Sequence, residues 1–507
     1  MSKSTSRILL LADQPWQLEL ISLVCSSIKA TEPNVTLEIA LVDYYTFLHS
    51  PELIKRIEFI QGIKIRTLED QYKGWQRREP RLTVEDEWRQ LIEGRNLEFT
   101  RSHEELEKTN QYINGFERNR YQLPLGRTWE KQIYLDSLEW AHQLVQEVNP
   151  DLIISVERCT LPTNLLKEIA EFTSINFLTF IPSRIGDRWI CRRDFGLGMN
   201  KQLLDEINSR YVDSSSTCAA VEIIKEIVTT RIGSYNSIEF QETNAILDRK
   251  SHPFRGIIQD ARTELKQIYS RVFLERKNFP FKVKRLEQNL LKLSLTRLRR
   301  IRILAFYSLG IYKYANTCLP PTNFYFWALH ARPEGSVLVL SGGVDEIDAL
   351  FNAAAKLPTN TQLVVKENIE NLGLRTAGFY SMLKANPKIW LLDATFSTFE
   401  AIQKSEGVVG ISGTVLLEAK MLNKRVWALG NPEFLTILDR PGFNNENIFK
   451  RVVLGKEAEL TIQKYVQYII EESHPDDIPL YYRFIGDKAS SEMAKRWASR
   501  IISEQYS

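Results

Sequence analysis

The residues best placed to do chemistry lie in Gly407-Val-Val-Gly-Ile-Ser-Gly-Thr-Val-Leu-Leu-Glu-Ala419. An apolar strand runs into Ser412-Gly413-Thr414, and a helix begins there. Glycine lets a backbone approach a ligand closely, Ser or Thr caps a helix, and the open N–H groups at the positive helix end suit a phosphate. Glu418 falls four residues after Thr414, on the same helical face, where a carboxylate can accept hydrogen bonds from ribose hydroxyls.

Two further loops are expected at the same end of the sheet. A strand at 362–366 ends in Lys366, a cation able to neutralise phosphate, followed by Glu367-Asn368. A strand expected at 336–340 leads into Ser341-Gly342-Gly343, either a ligand loop or a plain turn. In the first half of the chain, a strand at 151–156 runs into Glu157, and a strand at 176–180 runs towards Arg184, Asp187 and Arg188. A carboxylate at such a strand end faces a cleft, where Glu157 or Asp187 can activate a hydroxyl or act as a nucleophile. Arg184 and Arg188 suit an anionic donor or acceptor; salt-bridged loop residues are the alternative for all four.

These residues need a scaffold that delivers strand ends to one edge. Short apolar runs alternating with amphipathic ones read as parallel sheets with helical crossovers, twice over. The expected class is therefore α/β with two Rossmann-like lobes. The first lobe spans 1–205, with a charged helical insertion at about 71–121. A helical, basic middle region covers 206–322, a second Rossmann-like lobe covers 323–485, and a closing helix occupies 486–507. In the second lobe, strands are expected at 336–340, 362–366, 388–392, 408–411 and 425–429, with helices between them.

At 507 residues two or three domains are expected, and 43% hydrophobic with 25% charged residues excludes bulk disorder. The net charge of +3 is nearly balanced, but between Arg271 and Lys313 twelve Lys and Arg face two acids. Leucines interleave with these cations, so the segment reads either as a helix lying on an anionic membrane surface or as a solvated helix packing on the protein. No aromatic-and-basic platform accompanies it, which argues against nucleic acid. Five scattered cysteines fit a reducing compartment rather than a disulfide framework, and six histidines without metal-pair spacing predict no bound metal. The polar start and the absence of a long apolar run predict a cytoplasmic chain, peripheral on the inner membrane face if the basic segment docks there.

The stretch 323–434 resembles the capsule polysaccharide synthesis family. The matching features, in order, are Leu329-His330 with Pro333-Glu334, Val365-Lys366-Glu367, Gly378-Phe-Tyr380 with Leu383, Asn386-Pro387, Ser412-Gly-Thr414 with Glu418-Ala419, and Lys424-Arg-Val426 leading to Gly430. The resemblance implies a GT-B-like fold with the donor nucleotide on the second lobe and the acceptor on the first. It implies a transferase moving a sugar from a nucleotide sugar to a lipid-linked or glycan acceptor, without a further cofactor. Ser412, Gly413 and Thr414 would meet the donor phosphates and Glu418 the ribose, with His330 and Glu334 lining the cleft near the hinge. The family carries His-Pro after Lys-Glu, whereas this chain has Asn368-Ile369. Two other readings stay open: a nucleotide-sugar epimerase of the same build, and a non-catalytic assembly partner.

Overall fold

The computed structural model describes residues 6–12, 15–42, 51–58, 63–67, 81–93, 127–156, 161–186, 188–193, 201–212, 217–230, 253–269, 284–309, 314–330, 344–368, 371–375, 377–430, 432, 434–438, 461–474 and 488–506. The first lobe contains β1 (Arg7–Ala12), α1 (Pro15–Thr31), β2 (Thr36–Leu41), α2 (Pro51–Glu58), β3 (Ile63–Thr67), α3 (Val84–Glu93), α4 (Arg127–Val148), β4 (Leu152–Val156), α5 (Leu161–Phe172), β5 (Asn176–Pro182) and β6 (Trp189–Arg192). Its sheet runs β3-β2-β1-β4-β5-β6, parallel except for the β5–β6 hairpin. Ile8–Ala12 and Leu152–Ile154 are buried throughout, because helices cover both faces and leave no side of these strands for water.

The middle region supplies α6 (Lys201–Arg210), α7 (Cys218–Thr230), α8 (Pro253–Tyr269) and α9 (Lys284–Ser308). The second lobe contains β7 (Asn323–Ala328), α10 (Glu346–Ala355), β8 (Thr361–Lys366), α11 (Ala377–Ala385), β9 (Ile389–Leu392), α12 (Thr398–Lys404), β10 (Gly407–Gly410), α13 (Thr414–Met421) and β11 (Arg425–Ala428). Its five strands are all parallel, in the order β11-β10-β7-β8-β9. Two helices follow, α14 (Ile462–Glu472) and α15 (Lys488–Tyr506).

Both sheets therefore reverse their winding once. The reversal falls between β1 and β4 in the first lobe and between β7 and β10 in the second, and ligands of open α/β sheets bind in the crevice at such a point. The sequence reading missed β7, whose Asn-Phe-Tyr-Phe-Trp-Ala run is aromatic without alternation. It is the central strand, pairing with β8 and β10, so Leu329 and His330 emerge at the switch point. The strand and Gly342 loop expected at 336–343 lie outside the described residues. The reading also passed over α2, β3 and β6, which are short and lack a continuous apolar run; of the expected insertion at 71–121, residues 81–93 are described and include α3.

The lobes share buried material. Ile181, Ile185 and Ile190 of the β5–β6 hairpin join α6 and α7 in one apolar cluster with Tyr465, Val466 and Ile469 of α14. Arg188 of the hairpin donates to the carbonyl and hydroxyl oxygens of Ser473, just beyond α14. The last helix, α15, returns to the first lobe and packs along α1, burying Met493, Trp497 and Ile501. The Trp497 ring stacks on Phe180 of β5, centroids 3.9 Å apart, and meets Trp189 of β6 at 5.8 Å. Trp497→Ala should therefore destabilise the first lobe by about 3–5 kcal/mol in a denaturant titration. A loss below about 1 kcal/mol would mean that α15 does not dock on β5 and β6.

Candidate functional site

At the β7/β10 switch point the chain brings two loops together. Gly413 is the N-cap of α13, and its φ of −70° is ordinary, so its backbone conformation does not call for glycine. A Cβ added there would stand 3.1 Å from His330 Cε1. The imidazole thus lies against the Gly413 backbone, and a Cβ at 413 makes it give way by a few tenths of an ångström. Gly413 offers no side-chain cap to α13, whereas Asp345, Ser397 and Thr461 cap α10, α12 and α14. Ser412 is fully buried, while Gly413 and Thr414 remain partly open to solvent. The accessible end of α13 is thus backbone N–H and the Thr414 hydroxyl, a combination suited to an anion.

The first lobe reaches this point. Arg184 occupies the β5–β6 turn with φ +63°, and the turn is braced by Ser183 N donating to the Arg188 carbonyl and by Ile185 N donating to Ser183 Oγ. From there Arg184 Nη1 donates to Thr414 Oγ1 at 2.9 Å, so a guanidinium crosses between lobes to the helix start.

His330 is held from below by its main chain. Its N–H donates to Glu346 Oε1 at 2.7 Å, and its carbonyl accepts from Asn371 Nδ2 and Arg375 Nη2, each at 2.9 Å. Arg375 also pairs with Glu346 at 3.3 Å and with Glu367 at 2.9 Å, and Tyr380 donates its hydroxyl to Glu367 at 2.8 Å. Two fully buried carboxylates thus share one guanidinium beneath the histidine loop. Burial pushes the Glu367 carboxyl above its usual range, opposed by Arg375 and Tyr380, while Glu346 pushes the same way as burial. Burial by itself lowers the Arg375 guanidinium, and Glu367, Glu346 and Tyr380 together more than reverse that.

The other residues singled out by sequence are placed as follows. Glu418 is buried one turn inside α13. Lys366 is buried and donates to Thr398 Oγ1 at 2.7 Å, at the start of α12; its strand, β8, flanks β7 on the side away from β10. Glu367 spends both carboxylate oxygens on Arg375, Tyr380 and the Asn368 N–H. Glu157, Asp187, Glu334 and Gly342 lie outside the described residues. Sequence reasoning missed Glu346, Asn371 and Arg375, which stand 16, 41 and 45 residues from His330 and carry no motif.

Two Rossmann-like sheets, each with one switch point, and a C-terminal helix returned to the first lobe define a GT-B-like α/β protein. No protein-family model matches the sequence, and no curated protein matches it. Solved structures similar to the chain include KpsC, a beta Kdo 2,7 transferase of Thermosulfurimonas dismutans, at 10% identity and TM-score 0.33, covering 72% of this chain and 90% of that one. A UDP-GlcNAc 2-epimerase from Neisseria meningitidis matches at 12% identity and TM-score 0.24, covering 99% of each chain. A glycosyltransferase from Rickettsia africae matches at 10% identity and TM-score 0.23, again covering 99% of each. The class rests on the strand order and switch points of this chain itself.

Arg375→Met would leave two buried carboxylates without their cation and should cost about 3–5 kcal/mol near neutral pH. The sign with pH follows from Glu367. A carboxyl raised in the folded state favours folding below its unfolded value, and that contribution is lost as pH rises through the folded value. Without Arg375 the causes left to dominate are burial and Glu346, both of which raise it further. The deficit of the variant should therefore shrink as pH falls from about 8 to about 5 in parallel unfolding titrations. A deficit constant over that range would contradict the buried-charge account.

Proposed function

We propose that the chain is a glycosyltransferase of bacterial capsule or surface polysaccharide synthesis, passing a sugar from a nucleotide-sugar donor to a glycan or lipid-linked acceptor. The observation that carries this reading is the meeting of three groups at the second switch point. They are the uncapped start of α13, the His330 imidazole against Gly413, and the Arg184 guanidinium on Thr414. A cation beside the positive end of a helix is unfavourable by itself, and an anion between them turns both contacts favourable. A nucleotide phosphate fits that position.

In this reading Ser412, Gly413 and Thr414 receive the donor phosphates through backbone N–H and hydroxyl groups. Glu418, one turn further along α13, accepts from the ribose. As the bond between the sugar and the phosphate oxygen breaks, negative charge grows on the leaving phosphate. The α13 N-terminus and Arg184 meet that charge already oriented, so little reorganisation is needed. His330, just after β7, supplies an imidazole at the donor site, while the position where the resembled family carries the histidine of His-Pro holds Asn368. Glu157 and Asp187, which follow first-lobe strands, are the proposed bases for the acceptor hydroxyl. The resemblance over 323–434 supports the capsule context. The Arg184 contact supports a donor gripped from both lobes.

A thermal-shift screen of UDP-, CMP-, GDP- and TDP-sugars tests the assignment, since a ligand in excess raises apparent stability by mass action. Nucleotide sugars of one base should stabilise the chain. Arg184→Ala should weaken that binding by about tenfold or more, as expected for a lost charge-assisted hydrogen bond. Gly413→Val should abolish it, and His330→Ala should lower turnover more than binding. No stabilisation by any of the four classes would overturn the proposal.

A further inference from the structure

The helix α8 is amphipathic the wrong way round for a soluble surface. Its inward side carries Asp260 and Glu264, both buried, and Glu264 pairs with Arg297 at 3.0 Å and Arg300 at 3.2 Å on α9. Its outward side carries Phe254, Ile258, Leu265 and Tyr269, each more than half exposed. The steps of four, seven and four residues put these four on one stripe of a helix with 3.6 residues per turn. Arg255, Arg262 and Lys266, all exposed, follow one edge of that stripe. An ordinary surface helix hides its apolar stripe and shows its charges to water.

The anomaly is concentrated. Eight of the thirteen large apolar side chains exposed among the described residues lie on α8 or on α9 and the residue after it. Charge selects the occupant. Among the described side chains, Arg255, Arg262 and Lys266 of α8 and Arg302 of α9 are exposed cations, while both acids of α8, Asp260 and Glu264, are buried. The surface shown outward is therefore apolar and cationic together. That combination matches the boundary of an anionic bilayer, where apolar side chains enter the acyl region and cations meet lipid phosphates. No helix among the described residues is long and apolar enough to cross a membrane, so such a contact lies in the plane of the surface.

We propose that α8 is a membrane-surface anchor that sets Phe254, Ile258, Leu265 and Tyr269 into an anionic lipid leaflet. This places the docking element not in the basic segment 271–313, which the sequence reads either as a surface helix or as a solvated helix, but in the helix before it. The buried Glu264–Arg297–Arg300 cluster is what turns the apolar stripe outward, because Glu264 keeps these two cations only while it faces α9.

Flotation with phosphatidylglycerol-containing vesicles, compared with phosphatidylcholine alone, tests the proposal on the full chain. The wild type should float with the anionic vesicles and dissociate as salt rises. Phe254→Ser with Leu265→Ser should weaken binding by about tenfold or more, and Arg255→Glu with Arg262→Glu should do so by a similar factor. All four positions are exposed, so the unfolding midpoint of each variant should match the wild type, which separates lost docking from lost folding. Failure of the wild type to bind anionic vesicles would overturn the proposal. So would a dimer in light scattering that Phe254→Ser dissociates, because the stripe would then be covered by a second copy.

Discussion

The His330 side of the second switch point depends on one buried cluster of two carboxyl groups and a guanidinium. Glu346 and Glu367 lie under the end of β7 with Arg375 between them, and two of the three hydrogen bonds that fix the His330 main chain come from Glu346 and Arg375. Removing one partner from such a cluster leaves an uncompensated charge in a medium that solvates it poorly. The cluster therefore works as a unit, and its product is the position of one peptide. The His330 imidazole carried by that peptide lies against the Gly413 backbone, where an added Cβ would stand 3.1 Å from its Cε1.

The same logic, a buried polar group dictating which way a surface turns, recurs across the molecule. On α8 Glu264 faces Arg297 and Arg300 of α9, and the apolar stripe faces outward in consequence. Between the lobes, the apolar cluster of Ile181, Ile185, Tyr465 and Ile469 fixes the β5–β6 hairpin, and the hairpin carries Arg184 to Thr414. The return of α15 onto α1 closes the first lobe with Trp497 against Phe180. Each contact is distant in sequence, and each sets the aim of a side chain that has no reason of its own to point there.

The sequence discloses this unevenly. The strand–Ser-Gly-Thr–helix turn at 412–414 is legible because a strand end, a glycine and a helix start are local signals. Lys366 was equally legible as a strand-end cation, but nothing in its neighbourhood shows that it donates to Thr398. The central strand β7 escaped detection because its aromatic run matches neither an alternating nor an aliphatic buried strand. Missing it hid the relation between His330 and Gly413, which exists only because β7 pairs with β10. Arg375, Glu346 and Arg184 could not be assigned partners from spacing, since their contacts span from 8 to 230 residues. The inverted face of α8 was readable in principle as a stripe, but which side faces inward is decided by tertiary ion pairs.

The central claim is that an anionic nucleotide sits where His330 meets Gly413. Histidine side-chain NMR measures this most directly, because the chain has only six histidines and His330→Gln identifies the relevant signal. Titration with a nucleoside diphosphate should shift the His330 ring resonances saturably, leave His142 unmoved, and have no effect in Gly413→Val. Saturable shifts at other histidines with His330 unchanged would place the ligand elsewhere and contradict the account.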